Sequence, residues 1–538
     1  MTTVKFLDCT LRDGGYYNNW DFDFDESKKL IKALNESKVD IIEVGYKSPV
    51  QENEYFGLYR YCNEKYLDFL SKSDYSQYAF MIDVKEFLIG DELNLVELNK
   101  CIKPAENSVF SWVRLATHYA TIDTIPAFVT YFEQLGYKVG FNLMGGSLLS
   151  MDQIKYGTQI AAKSNVEVFY LADSFGSFYP EDVRKLIRFI KSEFNGKIGI
   201  HTHDNQGLAY ANTLVAIEEG VDFVDGTVTG MGRGAGNLLT EQFLMGMSEK
   251  DHNYSYQPQN LTQIIADYVQ PMKDTYKWGF NLTYMYSGLN NIHPTYCQKL
   301  AESNQFTTTE QALILRDIPK ENRSKYSAQV LSSSIKNLVK SELVDDDQAN
   351  LTLLDLNDLN NENCLIVARG KSAERYISII EEIAKTGVEL FECNDTGLLN
   401  QIPNRTVFIL NQMRIDQLKK KQTPHNANRT VVGFSEVKIE NCENLNYYPF
   451  KIGQFSIDEK EIVLPEFDAG LYALGIAIKA GFRNIYLAGF DGYDDAETNS
   501  IKESMFQSVK ATMDNKVNIQ FVTPTKYKTF DHSSIYLI

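Results

Sequence analysis

The chain has 538 residues, with 71 acidic against 53 basic side chains and a formal net charge of −18. This length allows two or three domains, each with its own core. A surface this acidic repels phosphate backbones and anionic membranes, so we expect no nucleic-acid partner and no membrane partner. The hydrophobic share of 43% is ordinary, and no apolar run is long enough to insert into a bilayer.

The cysteines and the start of the chain indicate a reducing compartment. Seven cysteines are spread over the sequence without a C-x-x-C spacing, and their odd number argues against a complete set of disulfides. The segment Met1–Asp8 lacks the apolar stretch of a signal peptide. We therefore expect buried thiols and a cytoplasmic protein.

The chain up to residue 232 alternates short apolar runs with amphipathic helical stretches. Because the runs are apolar rather than strictly alternating, and each is followed by a helical stretch, the pattern favours a closed (β/α)8 TIM barrel with both faces of its sheet buried. A doubly wound open sheet is the alternative, although it does not require so regular a count. The eight predicted strands are Val4–Leu11, Val39–Gly45, Tyr78–Val84, Val109–Ala116, Lys138–Leu143, Val166–Ala172, Lys197–His203 and Phe223–Val228.

The remainder of the chain predicts three further segments. Residues 257–344 are mostly helical, which predicts an appendage to a barrel domain of residues 1–256. Acidic and polar runs within residues 345–362 predict a linker. Residues 363–538 again alternate strands with helices, which is typical of a smaller, Rossmann-like α/β domain.

Polar side chains collect at the carboxyl ends of the predicted barrel strands, the face on which TIM barrels build active sites. Arg114, Asn142 and Asp173 lie at or near the ends of the fourth, fifth and sixth strands and are candidates for binding substrate. For Asp173 a hydrogen bond to a metal-bound histidine and a helix cap are the alternatives. The eighth strand leads into Gly230–Asn237, GMGRGAGN, which predicts a tight turn with room for a substrate. His293, farther along, is interpreted as a surface or core residue.

The pair His201 and His203 predicts a metal site. Residues two apart on a strand point to the same side, and Asp13, after the first strand, adds a carboxylate. Three protein ligands leave positions for water and substrate, which suits Mn²⁺ first, with Mg²⁺, Co²⁺ and Zn²⁺ as alternatives. Such a metal is a Lewis acid that can chelate a 2-oxo acid and stabilise its enolate. A purely structural histidine pair is the alternative.

Two more charged residues suit the same chemistry. Arg12 is adjacent to Asp13 and would offer a fixed positive charge to the enolate oxygen. Glu43, in the second strand, would hold Arg12 through a carboxylate–guanidinium pair. An ion pair at the barrel end without a catalytic role is the alternative.

Four separated motifs in the first 290 residues carry a resemblance to a known family. They are Arg12-Asp13-Gly14, Glu43 in IIEVGY, HTHDNQG beginning at His201, and Gly230–Asn237. Together they resemble the metal-dependent lyases and aldolases that include HMG-CoA lyase, isopropylmalate synthase and 4-hydroxy-2-oxovalerate aldolase. The resemblance implies a TIM barrel that makes or consumes an enolate on a divalent metal. Asp13, His201 and His203 would be ligands, with Asn237 a further ligand or a close neighbour of the metal.

The chain is most similar to the hydroxy-oxo-acid aldolase branch of that family, which uses pyruvate, but one residue departs from it. In that branch a histidine implicated in proton transfer follows Arg-Asp-Gly, whereas this chain has Tyr16. A tyrosine can relay a proton, but a pKa near 10 makes it a poorer base at neutral pH. The resemblance also implies an active-site tyrosine at Tyr286.

The second α/β region carries a candidate nucleotide site. Gly370, Lys371 and Ser372 lie at a predicted strand-to-helix turn, where backbone amides can bind phosphate. Solvated turn residues are the alternative. Together with Ala469–Ala480 and Ile485–Tyr493, this turn resembles bacterial domains related to sialyltransferases, which bind nucleotides or nucleotide sugars.

The sequence therefore predicts a metal-dependent carbon–carbon lyase, an aldolase that joins or releases pyruvate, or a similar 2-oxo acid, and an aldehyde. If the second domain binds a nucleotide sugar, the aldehyde would be a nucleotide-linked sugar of bacterial surface polysaccharide or sugar metabolism. We also expect a homo-oligomer. One alternative is a Claisen-type acyl-CoA synthase or lyase, and another is a non-catalytic nucleotide-sugar-binding protein with a degenerate barrel.

Overall fold

The structure is a computed structural model in which the chain forms two compact units. One comprises Met1–Gln298 with Lys320–Tyr326, and the other comprises Lys299–Pro319 with Ser327–Ile538. The structure describes residues 3–50, 55–72, 74–250, 253–303, 306–340, 352–359, 361–394, 398–399, 401–410, 429–433, 445–458, 460–466, 468–492, 496–513 and 517–538.

The first unit is a closed barrel of eight parallel strands, so the predicted TIM barrel is confirmed and the open-sheet alternative is wrong. Each strand pairs with its neighbours in chain order, and the first strand pairs with the eighth. The strands are Lys5–Asp8 (β1), Ile41–Tyr46 (β2), Gln77–Asp83 (β3), Trp112–Thr117 (β4), Lys138–Leu143 (β5), Val168–Asp173 (β6), Lys197–Thr202 (β7) and Phe223–Gly226 (β8). A hairpin of Leu88–Ile89 and Glu92–Leu93 follows β3.

Helices and turns cover the outside of the barrel, and several of the helices begin at a capping side chain. Ser150 accepts a hydrogen bond from the backbone of Gln153, whose side chain binds the Ser150 amide in return. Asp23 caps the first long helix in the same way, without the reciprocal bond. The helices of this unit are Thr10–Asp13, Phe24–Glu36, Leu58–Tyr61, Leu95–Cys101, Ile125–Gln134, Met151–Lys163, Pro180–Glu193, Ala209–Glu218, Thr240–Lys250, Thr262–Ile264, Gln270–Tyr276 and Leu282–Leu289.

A small apolar cluster from the barrel strands closes the barrel beneath its active face. It includes Leu7, Trp112, Tyr170 and Phe223, each no more than 3% exposed. The guanidinium of Arg114 lies 4.2 Å from the ring centre of Tyr170, so the charged residues above rest directly on this cluster. The barrel is therefore a packed support, with polar chemistry confined to one end.

The second unit contains a parallel sheet, which confirms the predicted Rossmann-like region. Its described strands follow the spatial order Thr352–Leu353, Leu445–Tyr447, Arg429–Gly433, Arg405–Phe408, Glu389–Cys393, Asn363–Val367, Asn484–Ala488, Asn518–Phe521 and Asp531–His532. A smaller sheet joins Phe450–Ile452, Ile462–Leu464 and Ser456–Ile457. Helices of this unit are Thr308–Asp317, Ala328–Lys340, Lys371–Arg375, Ile377–Ala384, Ala469–Lys479 and Ala496–Thr512, and Pro294–Ser303 belongs to both units.

The boundaries predicted for the appendage and the linker stay predictions. Residues 341–351 lie outside the described residues, and within the predicted linker Thr352–Leu353 forms an edge strand. Among the described residues, no helix combines the length and the apolar character needed to cross a membrane. The six described cysteines are free, and five of them are buried.

Candidate active site

The barrel brings Asp13, His201 and His203 together at the carboxyl end of its strands. Asp13 ends the short helix that follows β1, His201 lies in β7, and His203 directly follows β7. One donor atom of each residue lies within 4.8 Å of the donor atoms of the other two, and all three residues are at most 5% exposed. Residues nearly 190 positions apart thus form one compact cluster.

The protonation states of Asp13 and His203 fit a bound divalent cation. Burial alone would raise the pKa of Asp13, but the charge of Arg12, with His203 and His201, holds it well below its usual range. Burial lowers the pKa of His203 to about 3, so this imidazole is neutral at pH 7. A carboxylate with a neutral imidazole is the form in which such side chains bind metals.

The buried polar atoms without a hydrogen-bond partner among the described residues include two beside the cluster, Nδ1 of His203 and Oδ1 of Asn237. Asn237 pairs with His203 across an isolated bridge and donates from Nδ2 to Oδ2 of Asp13, at 2.6 Å. Buried polar atoms are otherwise almost always paired. The two orphaned atoms therefore indicate a ligand, and the donor set fits a metal ion.

A buried chain of charged side chains holds the cluster in place. Nε of Arg12 lies 2.7 Å from Glu43, whose other oxygen lies 3.2 Å from Arg114. Arg114 in turn pairs with Asp225, and Oδ2 of Asp225 lies 3.0 Å from Nδ1 of His201. With Nδ1 engaged in this way, Nε2 of His201 is left to face the site.

Asp225 is a site residue that the sequence analysis missed. It lies in β8, where its pKa is lowered because the charge of Arg114 and the hydrogen bond to His201 outweigh the effect of burial. A carboxylate inside an otherwise apolar predicted strand was the available signal, since an acidic side chain is almost never buried without a partner.

The glycines of the loop Gly230–Asn237 are required by close approach to this cluster. A Cβ atom on Gly232 would overlap the side chains of Asn237 and Asp13. Gly236 has a φ of +87°, and a Cβ there would meet the carbonyl of Gly230. The loop therefore lies against the candidate ligands, in line with the tight turn predicted for it.

Tyr16 lies at the mouth of the site and is 41% exposed. Its hydroxyl lies 3.2 Å from that of Tyr46, a buried residue of β2. Tyr286 is half-buried on the helix Leu282–Leu289, which is anchored to the barrel where Asn205 donates to Ser287 at 3.1 Å. The structure does not bring the Tyr286 side chain into a described contact with the cluster, so its role stays a prediction.

The three predicted substrate-binding residues differ in how far their polar groups are already engaged by other residues. Arg114 is 1% exposed and is engaged by Glu43, Asp225 and the ring of Tyr170. Asp173 accepts the backbone amides of residues 177 and 178, at 2.9 and 3.1 Å, and burial raises its pKa to about 7. Only Asn142 keeps a buried oxygen without a partner among the described residues. Contact with substrate stays a prediction for all three.

In the second unit, Gly370, Lys371 and Ser372 follow the strand Asn363–Val367, where the strand order of the sheet reverses. The amide of Ser372 donates to the carboxylate of Asp491, at 2.8 Å, and the Ser372 hydroxyl lies 2.9 Å from that of Thr523. The Ser372 amide, which is predicted to bind phosphate, is therefore already hydrogen-bonded to a carboxylate. Nucleotide binding here stays a prediction.

Comparison with known proteins points in the same direction as the geometry. Residues 112–268 match the HMGL-like family model. The chain is 28% identical over 249 residues to 4-hydroxy-2-oxovalerate aldolase of Pelotomaculum thermopropionicum, which covers 46% of this chain and 70% of that protein. It is 25% identical over 246 residues to oxaloacetate decarboxylase of Mycobacterium tuberculosis, with the same coverage. The crystal structure of the N-terminal domain of a putative aldolase from Bacteroides vulgatus is 33% identical, with a TM-score of 0.49, over 55% of this chain and 96% of that one.

A closed parallel barrel with a carboxylate and two imidazoles at its active face, next to a buried arginine, defines this protein as a carbon–carbon lyase of the TIM-barrel class. Residues 112–268 of the barrel form an HMGL-like domain, and the cluster of Asp13, His201 and His203 could hold a metal ion.

Proposed function

We propose that the barrel is a divalent-metal-dependent aldolase that joins the enolate of pyruvate, or of a similar 2-oxo acid, to an aldehyde. The observation that carries this proposal is the cluster of Asp13, His201 and His203 beside Arg12, which Glu43 holds at 2.7 Å. The relatives named as 4-hydroxy-2-oxovalerate aldolases and as an oxaloacetate decarboxylase support a 2-oxo acid as the donor.

In this proposal Asp13, His201 and His203 hold the metal, with Asn237 beside it. One carboxylate and two imidazoles suit Mn²⁺, with Mg²⁺, Co²⁺ or Zn²⁺ as alternatives. When bound, the metal would supply Lewis acidity toward the carboxylate and keto oxygen of the 2-oxo acid.

Arg12 provides the second positive charge for the enolate. Its Nε and Nη1 groups donate to Glu43 and Asp13, which leaves Nη2 to donate to a substrate oxygen. Because Glu43 fixes the guanidinium before substrate arrives, little reorganisation is needed as negative charge develops on that oxygen.

Tyr16 is our candidate for proton transfer. In the aldol reaction the methyl carbon of pyruvate loses one proton and bonds to the aldehyde carbon, and the aldehyde oxygen gains one proton. Burial holds the pKa of Tyr46 well above its ordinary value, so Tyr46 stays protonated and its hydroxyl can donate to the oxygen of Tyr16. Tyr46 thereby supports Tyr16 when Tyr16 gives up its own proton.

The proposal is tested by metal-dependent exchange of the methyl protons of pyruvate in deuterated water, followed by mass spectrometry with each of the four metals. We expect exchange in the unaltered protein and a loss of about 100-fold or more in His203→Ala. His532→Ala is the control, since His532 is exposed and lies in the second unit. Binding of a metal without any exchange would contradict the proposal.

A non-catalytic barrel makes a different prediction. Metal analysis of the purified protein would then find no difference between the unaltered chain and Asp13→Ala, whereas the aldolase proposal requires the variant to lose its divalent ion. Nucleotide-sugar binding by the second unit, a role in surface polysaccharide synthesis, a cytoplasmic location and a homo-oligomer stay predictions.

A further inference from the structure

Arg233 is a positively charged side chain at the active face that the proposed reaction leaves unused. It lies in the middle of the loop Gly230–Asn237 and is half-buried. Its Nη2 contacts the ring nitrogens of His293, and its guanidinium lies 5.5 Å from the ring centre of Tyr16. In the described part of the chain it forms no ion pair with an acidic side chain.

The partner that Arg233 does have does not neutralise it. Burial and the charges of Arg233 and His118 lower the pKa of His293 to about 2, so its ring is neutral and can only accept a hydrogen bond from the guanidinium. Asp83, the acidic residue that faces His118, forms an ion pair with Lys85 at 3.0 Å. Arg233 thus keeps a full positive charge at the mouth of the site, in a chain with a net charge of −18.

Arg233 lies close enough to the candidate metal ligands to act on the same substrate. The adjacent Gly232 lies against Asn237 and Asp13. The cation therefore lies beside the reaction centre rather than on a distant surface.

Arg233 is more exposed than the part of the site proposed for pyruvate. Arg12 and the three candidate ligands are at most 5% exposed, whereas Arg233 is only half-buried and Tyr16, under its guanidinium, is 41% exposed. If a 2-oxo acid is bound at the buried end, the aldehyde would approach it from the open side. The outer cation is thus positioned for the second substrate.

We propose that Arg233, positioned by His293 and Tyr16, forms the acceptor subsite and selects aldehydes that carry an anionic group, a carboxylate or a phosphate. This inference rests on the proposed aldolase function. A guanidinium with free N–H donors binds either group through charge-assisted hydrogen bonds. The subsite therefore raises the affinity for the acceptor without taking part in the chemistry of the donor.

The test compares two matched pairs of aldehydes with pyruvate and metal: succinic semialdehyde against butanal, and glyceraldehyde 3-phosphate against glyceraldehyde. In Arg233→Gln we expect the ratio of kcat/KM between the charged and neutral members to fall about 10- to 100-fold, mainly through KM of the charged aldehyde. Arg233→Lys should recover part of the ratio. Lys85→Gln is the matched control, because its charge is already paired with Asp83, and it should leave the ratio within about twofold.

The two pairs also identify the anion. A larger effect on the succinic semialdehyde pair assigns a carboxylate, and a larger effect on the phosphate pair assigns a phosphate. An unchanged ratio in Arg233→Gln overturns the inference. So does a rise in KM for pyruvate that is equal with all four aldehydes, because it would assign Arg233 to the donor.

If none of the four aldehydes is turned over, their binding to the pyruvate-loaded enzyme is measured by calorimetry. Equal Kd values for the charged and neutral members would then overturn the inference, and a preference that depends on Arg233 would support it. Failure of the proposed function is distinguishable, because it appears as absence of pyruvate proton exchange in the unaltered enzyme.

Discussion

The Nδ1 atom of His201 lies 3.0 Å from Oδ2 of Asp225, a carboxylate that is also paired with Arg114. This contact fixes which ring nitrogen of His201 faces the candidate metal, and it joins the metal cluster to the ion pairs around Glu43. The site is therefore one connected polar network, in which residues without access to substrate set the geometry of those that have it.

Weakening this contact should weaken metal binding. In Asp225→Asn the amide no longer provides a charged acceptor for His201, so we expect affinity for Mn²⁺ to fall about 10- to 100-fold, measured by calorimetry on chelator-treated protein. Asp91→Asn, an exposed position on the hairpin loop, is the control. An affinity equal to that of the unaltered chain would show that Asp225 does not support the metal.

The close approach of Gly232 gives a steric prediction. A methyl group there would displace Asn237 or Asp13, so Gly232→Ala should lower metal affinity about tenfold or more while the barrel still folds. Circular dichroism in chelator checks the fold, and metal titration checks the site. Normal metal binding by a folded Gly232→Ala variant would contradict the geometry of the loop.

Two buried Glu–Arg pairs, one in each unit, allow stability to be separated from catalysis. Glu43 pairs with Arg12 in the barrel, and Glu392 pairs with Arg405 in the second unit, each at 2.7 Å. Each substitution takes a charged partner from a buried arginine that keeps other contacts, so Glu43→Gln and Glu392→Gln should each lower the free energy of unfolding by about 1 to 3 kcal/mol. Only Glu43→Gln should also slow pyruvate proton exchange, by about 100-fold. Equal exchange rates in the two variants would argue that the Glu43 pair is merely structural.

Asp173 gives a prediction for pH dependence. Its pKa is about 7 in the folded protein because burial disfavours the charged carboxylate, against an ordinary value of 3.8. The folded state therefore holds the proton more tightly, and this contribution to stability is complete below pH 3.8 and is lost as the pH rises toward 7. We expect it to fall by about 1.4 kcal/mol per pH unit across that window.

The measurement compares Asp173→Asn with the unaltered chain by denaturant unfolding from pH 4 to 8, with chelator present. Because the variant cannot ionise at this position, its free energy of unfolding should rise relative to that of the unaltered chain as the pH increases. A difference that stays constant with pH would show that Asp173 titrates normally.

The barrel could be predicted from the sequence, and its candidate metal ligands proposed, because their signals are local. Eight apolar runs define strands whose observed bounds differ from the predicted ones by a few residues, with Lys138–Leu143 matching at both ends. The spacing of His201 and His203 places both side chains on one face of a strand through the alternation of the β backbone alone. Placing polar residues at the strand ends then predicts a shared rim.

The pairings between distant residues could not be predicted from the sequence. Asp225 lies 24 positions from His201 and 111 from Arg114, and Arg233 lies 60 from His293, so no sequence period relates them. The same holds for Ser372, whose amide is taken by Asp491, 119 positions away. The barrel follows from sequence periodicity, and the candidate metal ligands from the alternation of the strand backbone. Packing decided which charges are paired and which remain free for a ligand, because a buried charge takes whichever partner the fold brings near.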